Sequence, residues 1–324
     1  MSLICRVSFA VLLIATSLIS TSRPLQAATL ASAKVAAQAG RADEAIAQLN
    51  SIITATPSDA EAYSLLCKVE DSLQNFDQAI SACEKAVDIA PSNSYYSLYL
   101  ARAYGDRADH AGPLKGLSLA GKVRESFQRA VALDGKNIEA LSDLGEFYVA
   151  APGIIGGGTD KAQALVPKLQ ALSTARAHRL QAMIDAKRGD NVAAESEYKQ
   201  EIEVAHSPES YVDIATFYKK RSQWEQSAAA AQSAIQADMQ HGPDSVDAAK
   251  LLLELNRNVP AAQQALRDYL ASPHKTAGTP AFRVHTMLGD SLAKQGAKDE
   301  AAKEYAAALE LAHDYQPARK ASGK

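Results

Sequence analysis

The sequence has no run of alternating Val, Ile and Thr that would read as a half-buried strand, and only 6% of its 324 residues are aromatic. A sheet-based fold is therefore not expected. Seven histidines (His110, His178, His206, His241, His274, His285 and His313) are scattered without H-E-x-x-H or any other close ligand spacing, so no metal centre is expected. No segment ends in the G-K-[ST] of a phosphate loop. Ser291-x2-Lys294 lacks a K-T-G partner, and Gly116-Leu117-Ser118-Leu119-Ala120 lacks the second glycine of a nucleophile elbow. These absences point away from an enzyme and from any cofactor. Nor is there an excess of positive charge: the formal net charge is −3, which gives the chain as a whole no reason to bind nucleic acid or anionic lipid.

What is present is a period. Ala45-x3-Leu49 leads to Pro57, and Ala79-x3-Cys83 leads to Pro91, with both pairs of positions offset by 34 residues. A fixed spacing of that length marks a helix-turn-helix repeat. Further copies open at Tyr63-x2-Leu66-Cys67, at Leu141-x2-Leu144-Gly145-x2-Tyr148, at Tyr211-x2-Ile214-Ala215-x2-Tyr218 and at His285-x2-Leu288-Gly289-x2-Leu292. Small residues at Ala45, Ala79, Gly145, Gly289 and Ala301 let antiparallel backbones approach, and Tyr148, Tyr218 and Tyr305 are placed to fill the space between neighbouring pairs. A single pair cannot bury its own apolar face, so stacking must supply the core.

On these residues the chain resembles the tetratricopeptide-repeat family. The resemblance implies an all-α, right-handed α-solenoid of about eight helix pairs, with the first helix of each pair lining a concave groove. It also implies a non-catalytic module that binds a protein or peptide there. Tyr95, Tyr99 and Arg102 stand at i, i+4 and i+7 and share a helix face; Arg176 and Arg179 form a second basic row, with Glu139, Ser142 and Glu146 between. Aromatic and Arg side chains are effective recognition anchors. The five residues Tyr95, Tyr99, Arg102, Arg176 and Arg179 are therefore the expected partner-binding set, and the groove is expected to alternate aromatic-basic, acidic and basic patches. The family's carboxylate clamp is not reproduced, because Ser64 and Lys68 are followed by Tyr95 and Tyr99 and then by Glu139 and Asp143.

Arg6 precedes an apolar run from Val7 to Ile19, and Ala27 and Ala28 follow. Thirteen helical residues reach about 20 Å, short of a roughly 30 Å hydrocarbon core, so residues 1–27 read as a cleaved secretory signal and 28–324 as the solenoid. The expected protein is exported, periplasmic or secreted, without membrane insertion after cleavage, and monomeric; its charge after cleavage is −5. Cys67 and Cys83 then sit on the two helices of one pair in an oxidising compartment, where they can form a disulfide or remain two buried thiols.

Two stretches break the period and are expected to be irregular connectors, at about 105–119 and 150–160. Ala86 and its counterpart Ala130 are 44 residues apart. The run Ala151-Pro152-Gly153-Ile154-Ile155-Gly156-Gly157-Gly158-Thr159-Asp160 is expected to release one helix, tuck two apolar residues into the groove and cap the next helix with Thr159 or Asp160. It also resembles connectors of exported helical components associated with TRAP transporters. That likeness implies an alternative function, binding of a small molecule, which a deep closed pocket would favour over an open groove.

Overall fold

Residues 28–323 are described in a computed structural model. Eight helix pairs follow one another: α1 (Leu30–Gln38) with α2 (Ala42–Ala55), α3 (Ala60–Ser72) with α4 (Phe76–Ile89), and α5 (Ser94–Asp109) with α6 (Pro113–Leu133). In the fourth pair α7 (Ile138–Ala150) is followed by a 3-10 turn at Gly153–Ile155 and by two short helices, α8 (Thr159–Gln163) and α9 (Val166–Leu172). Then come α10 (Thr174–Arg188) with α11 (Asn191–Ala205), α12 (Pro208–Lys220) with α13 (Trp224–Ala237), α14 (Pro243–Leu255) with α15 (Val259–Ala271), and α16 (Ala281–Lys294) with α17 (Lys298–Leu311). A last helix, α18, spans Gln316–Ser322. The architecture is the all-α repeat fold expected from the period.

The start of each pair is written locally. Asp59, Asn93 and Asn137 accept hydrogen bonds from the amides of Ala62, of Tyr95 and Tyr96, and of Ala140, which gives three successive first helices the same side-chain cap. Pro57 and Pro91 lie two residues before the first two of these caps, just past the preceding helix, where they block its continuation. Between helices, close approach depends on small residues. A Cβ on Gly289 would lie 2.6 Å from the Tyr305 ring, so α16 and α17 meet through the bare backbone. Tyr148, Tyr218 and Tyr305 are all buried. Each hydroxyl reaches a polar neighbour: Tyr218 donates to Glu195 and Tyr305 to Asp290, and Tyr148 accepts from Gln128. Burial followed by the neighbouring carboxylate pushes the phenols of Tyr218 and Tyr305 up to about 12.

The first expected connector is corrected, and the second is irregular as expected but differs in how it is held. The extra residues of the third pair are helical: α5 runs to Asp109 and α6 starts at Pro113, so the insertion lengthens two helices and leaves only three residues between them. In the glycine-rich stretch Ile154 is 89% exposed rather than tucked in, and neither Thr159 nor Asp160 caps α8, whose N-cap is Gly158. The stretch is held by its backbone instead. Gly158 N–H donates to the Tyr148 carbonyl at 2.7 Å, Lys161 donates to the Gly156 carbonyl at 2.7 Å, and a Cβ on Gly157 would lie 1.8 Å from the Ala151 carbonyl oxygen. Pro167 stands at the start of α9, where it breaks the fourth pair's second helix in two, and α10 packs directly on α7.

The two ends of the solenoid meet. Ala33, Ala36, Leu49 and Leu65 of the first three helices share one core with Phe282 of α16, Ala308 of α17 and Tyr315 and Ala318 at the last helix. The Phe282 and Tyr315 rings stack edge to face at 4.8 Å. The His313 N–H donates to Asp43 at 2.9 Å. Gly40, at φ +74°, abuts Ala281 so closely that a Cβ would sit 2.4 Å from its amide nitrogen. The tail from His313 to Lys320 therefore buries Tyr315 and Ala318 against the first repeat. Each end covers the other, and the solenoid closes into a ring. Residues 1–27, the expected signal, lie outside the described residues. Among the described residues no helix is long and apolar enough to cross a membrane.

Candidate functional site

Closure turns the groove into a bounded cavity of about 780 Å³. One wall comes from Lys68, Asp71 and Ser72 of α3, Tyr99, Arg102 and Asp106 of α5, and Asp143, Glu146 and Phe147 of α7; the opposite wall is Ala277, Gly278 and Arg283, from the far end of the chain. The segment carrying Ala277 and Gly278 joins α15 to α16 and is organised around the buried side chain of Tyr269. The Tyr269 hydroxyl donates to the Thr279 carbonyl at 2.5 Å and accepts from the Thr276 N–H at 3.1 Å. Ser272 donates to the His241 carbonyl at 3.0 Å, which ties the segment back to the preceding repeat.

Of the expected binding residues, the ring brings Tyr99 and Arg102 to this cavity and leaves the others elsewhere. Tyr99 lies under Lys68, whose Nζ is 3.5 Å from the ring centroid, with the Arg102 guanidinium 5.3 Å away. Tyr95 is 48% exposed and is not part of the lining. The expected alternation of charged patches is corrected, because the charges pair across repeats. Arg102 donates to Asp143 at 2.7 Å and to Glu139 at 3.0 Å. Arg176 holds Glu209 through two parallel bonds of 2.7 and 2.8 Å. Arg179 bridges Glu146 on the helix before it and Asp213, at 2.9 Å, on the helix after it. Arg176 and Arg179 thus join first helices of successive repeats to one another.

Beneath this ladder lies Glu201, 3% exposed, whose Oε2 has no hydrogen-bond partner. Burial, and then the negative charge of Asp213, pushes its carboxyl up to about 9, so it is neutral at pH 7. The cavity holds a comparable group. Asp71 faces Asp106, and burial together with that neighbour raises Asp71 to about 8, so Asp71 is largely protonated at neutral pH. With Asp143 engaged by Arg102 and Glu146 by Arg179, the remaining ionisable groups of the lining are Asp71, Asp106, Asp109, Lys68 and Arg283. The cavity presents both signs beside the aromatic surfaces of Tyr99 and Phe147.

Asp71, Phe147 and Arg283 were not legible as site residues in the sequence. The one signal for the far wall is the Ser272–Pro280 stretch, a nine-residue connector rich in Pro, Gly and Thr. The Cys67 and Cys83 sulfurs are joined 2.07 Å apart, linking α3 to α4 directly behind the cavity wall. Among the histidines, His206 and His241 adopt positive φ after their helices, and His313 lies beside Asp43 and Asp314. His178 and His285 contact Glu197 and Glu304 within their own pairs at 2.6 and 2.7 Å.

The tetratricopeptide repeat model matches residues 30–94 and 246–316, at the two ends that close the ring. Those two regions are tetratricopeptide repeats, and the helix pairs between them continue the same all-α repeat fold. No curated protein matches it in sequence. Similar solved structures include TTC0263, a thermophilic tetratricopeptide protein of Thermus thermophilus, at 20% identity over 51% of this chain and 84% of that one with a TM-score of 0.43. MamA is 21% identical over 51% of this chain and 89% of its own, TM-score 0.41. A monomeric mutant of IFIT1 solved with Gppp-AAAA is 16% identical over 87% and 67%, TM-score 0.45. Tetratricopeptide repeats mediate protein–protein contacts in general and are generally non-catalytic scaffolds.

Proposed function

We propose that this chain is a non-catalytic, monomeric binding module of the cell envelope that captures a short segment of a partner protein, a loop or a terminus, in the ring's central cavity. The observation that carries this reading is the bounded 780 Å³ cavity, built from both ends of the chain and lined by paired and unpaired charges beside Tyr99 and Phe147. A long helix laid along an open groove does not suit a groove that Ala277, Gly278 and Arg283 close on the far side. A short segment carrying both charge signs does. The apolar run and small residues of 1–27 support export.

The same closure favours a second reading, a small polar molecule, since cavities of roughly 300–1,000 Å³ are the size of small-ligand sites. In-cell photocrosslinking from a probe at position 99, with one at Lys199 on the outer face of α11 as control, separates the two. A discrete protein adduct from position 99 alone supports the protein partner. Its absence from folded, exported protein refutes that partner and leaves the small ligand.

A further inference from the structure

A second cleft, of about 410 Å³, opens at the ring's seam. Its chemistry differs from that of the central cavity. Lys250 of α14 and Arg283 and Lys294 of α16 all line it, and none has a carboxylate within 4.0 Å among the described residues. The two acids in the lining are occupied elsewhere: Glu254 pairs with Lys219, and Asp290 accepts from the Tyr305 hydroxyl at 2.8 Å. Amides and hydroxyls complete the wall, including Asn256 and Ser291. Asp247 interacts electrostatically with both Lys250 and Arg283, and Asp71 with Arg283, but at longer range than an ion pair, so Lys250 and Lys294 in particular keep ammonium donors for an anion in the cleft.

We propose that this seam cleft binds a small multivalent anion, a phosphate or a carboxylate, on Lys250, Arg283 and Lys294, and that the anion clips the ring shut. The clip follows from which elements meet there. Gln74, in the turn between α3 and α4, and Tyr315 and Pro317, entering α18, line the same cleft, so it is complete only when the second and last pairs are together. Tyr315 is also part of the seam core with Phe282. An anion that binds the closed ring better than an opened one must favour closure, and closure must favour the anion by the same factor. Arg283 lines both the cleft and the central cavity, which gives occupancy of the cleft a direct route to the cavity wall.

Calorimetric titration with inorganic phosphate and, separately, with succinate at constant ionic strength tests the site. One saturable site is expected, weakened about tenfold or more in a K250Q/K294Q variant, since a lost charge-assisted contact is worth a factor of that order. The tighter of the two probes identifies the anion class. Lys250 and Lys294 are both exposed, so the variant keeps its core, and an unchanged thermal unfolding profile without ligand verifies that. No saturable heat from either probe, or equal affinity in the variant, overturns the site. Hydrogen exchange of α1 with and without the tighter probe tests the clip. Slower exchange is expected; unchanged exchange at saturation overturns the coupling.

Discussion

The wall of the ring across α7, α10 and α12 and the wall across α3, α5 and α16 are built from the same positions of the repeat, yet they treat charge in opposite ways. In the first, every Arg meets an acid one repeat away: Arg176 with Glu209, Arg179 with Glu146 and Asp213. In the second, Arg102 is paired in this way, but Lys68 lies on an aromatic ring, Asp71 is raised by burial and by Asp106, and among the described residues Arg283 has no carboxylate within ion-pair distance, only the longer-range Asp71 and Asp247. A charged residue on a first helix is thus a recognition candidate only where the next repeat does not supply its complement. The paired wall is mortar between repeats; the unpaired wall is available to a ligand.

The strongest way to break that contrast is Arg179→Ala. Its side chain is 17% exposed and sits between two carboxylates, with neutral Glu201 below. Removing it leaves buried acids uncompensated, and a loss of about 3–5 kcal/mol is expected in chemical denaturation. A drop below about 1 kcal/mol would place Arg179 with the solvated, recognition-type charges. Next in size is the disulfide. Replacing Cys67 and Cys83 together by Ser should cost about 3 kcal/mol in the loop-entropy picture for a bridge across 16 residues. That loss falls on the unpaired wall, where among the described residues no ion pair joins α3 to α4, and equal stability of the variant would show that this wall needs no covalent support.

The repeat and its count of eight pairs were readable because they depend on spacing along the chain. The site was half readable. Tyr99 and Arg102 share a helix face with any partner, and the heptad-like spacing shows it. The pairing of Arg176 and Arg179 was not readable, because it depends on the rotation between successive repeats, which places Glu209 and Asp213 opposite them. Ring closure was least legible. It rests on Gly40 meeting Ala281 and on His313 meeting Asp43; both pairs are separated by most of the solenoid, and nothing local in either stretch of sequence records it. The long third pair shows the same limit: added residues are visible as a broken period, but whether they extend helices or form a loop is decided by packing.

A pH series sharpens the paired wall. Glu201 has its folded value raised to about 9 from an ordinary carboxylate value, so the native state holds a proton that the unfolded chain releases. Its contribution is fully present at low pH, falls as pH rises above the unfolded value, and is gone above about 9, with a slope of up to about 1.4 kcal/mol per pH unit. Glu201→Gln keeps the neutral shape and removes the titration. The variant should be more stable than the parent at pH 8, with the gap closing toward pH 5. A gap that does not change with pH would mean Glu201 is ionised in the folded ring.

The smallest stability effect is expected at Arg102, and that makes it the sharpest probe of the comparison. It belongs to both walls: it lines the cavity beside Tyr99, and it pairs with Asp143 and Glu139 while 35% exposed. A partly solvated pair of this kind contributes roughly 1 kcal/mol or less, so Arg102→Gln should barely move the unfolding midpoint. Its effect on capture should be larger than its effect on stability, because the substitution frees Asp143 into the cavity and adds one unit of negative charge to the lining. Crosslinking yield from position 99 should then fall for a partner segment led by an acidic group and rise for one led by a basic group. The sign of that change reads the charge of the captured segment directly. A yield that tracks the stability change, whatever its sign, would return Arg102 to the mortar and leave Tyr99 and Lys68 as the recognition surface.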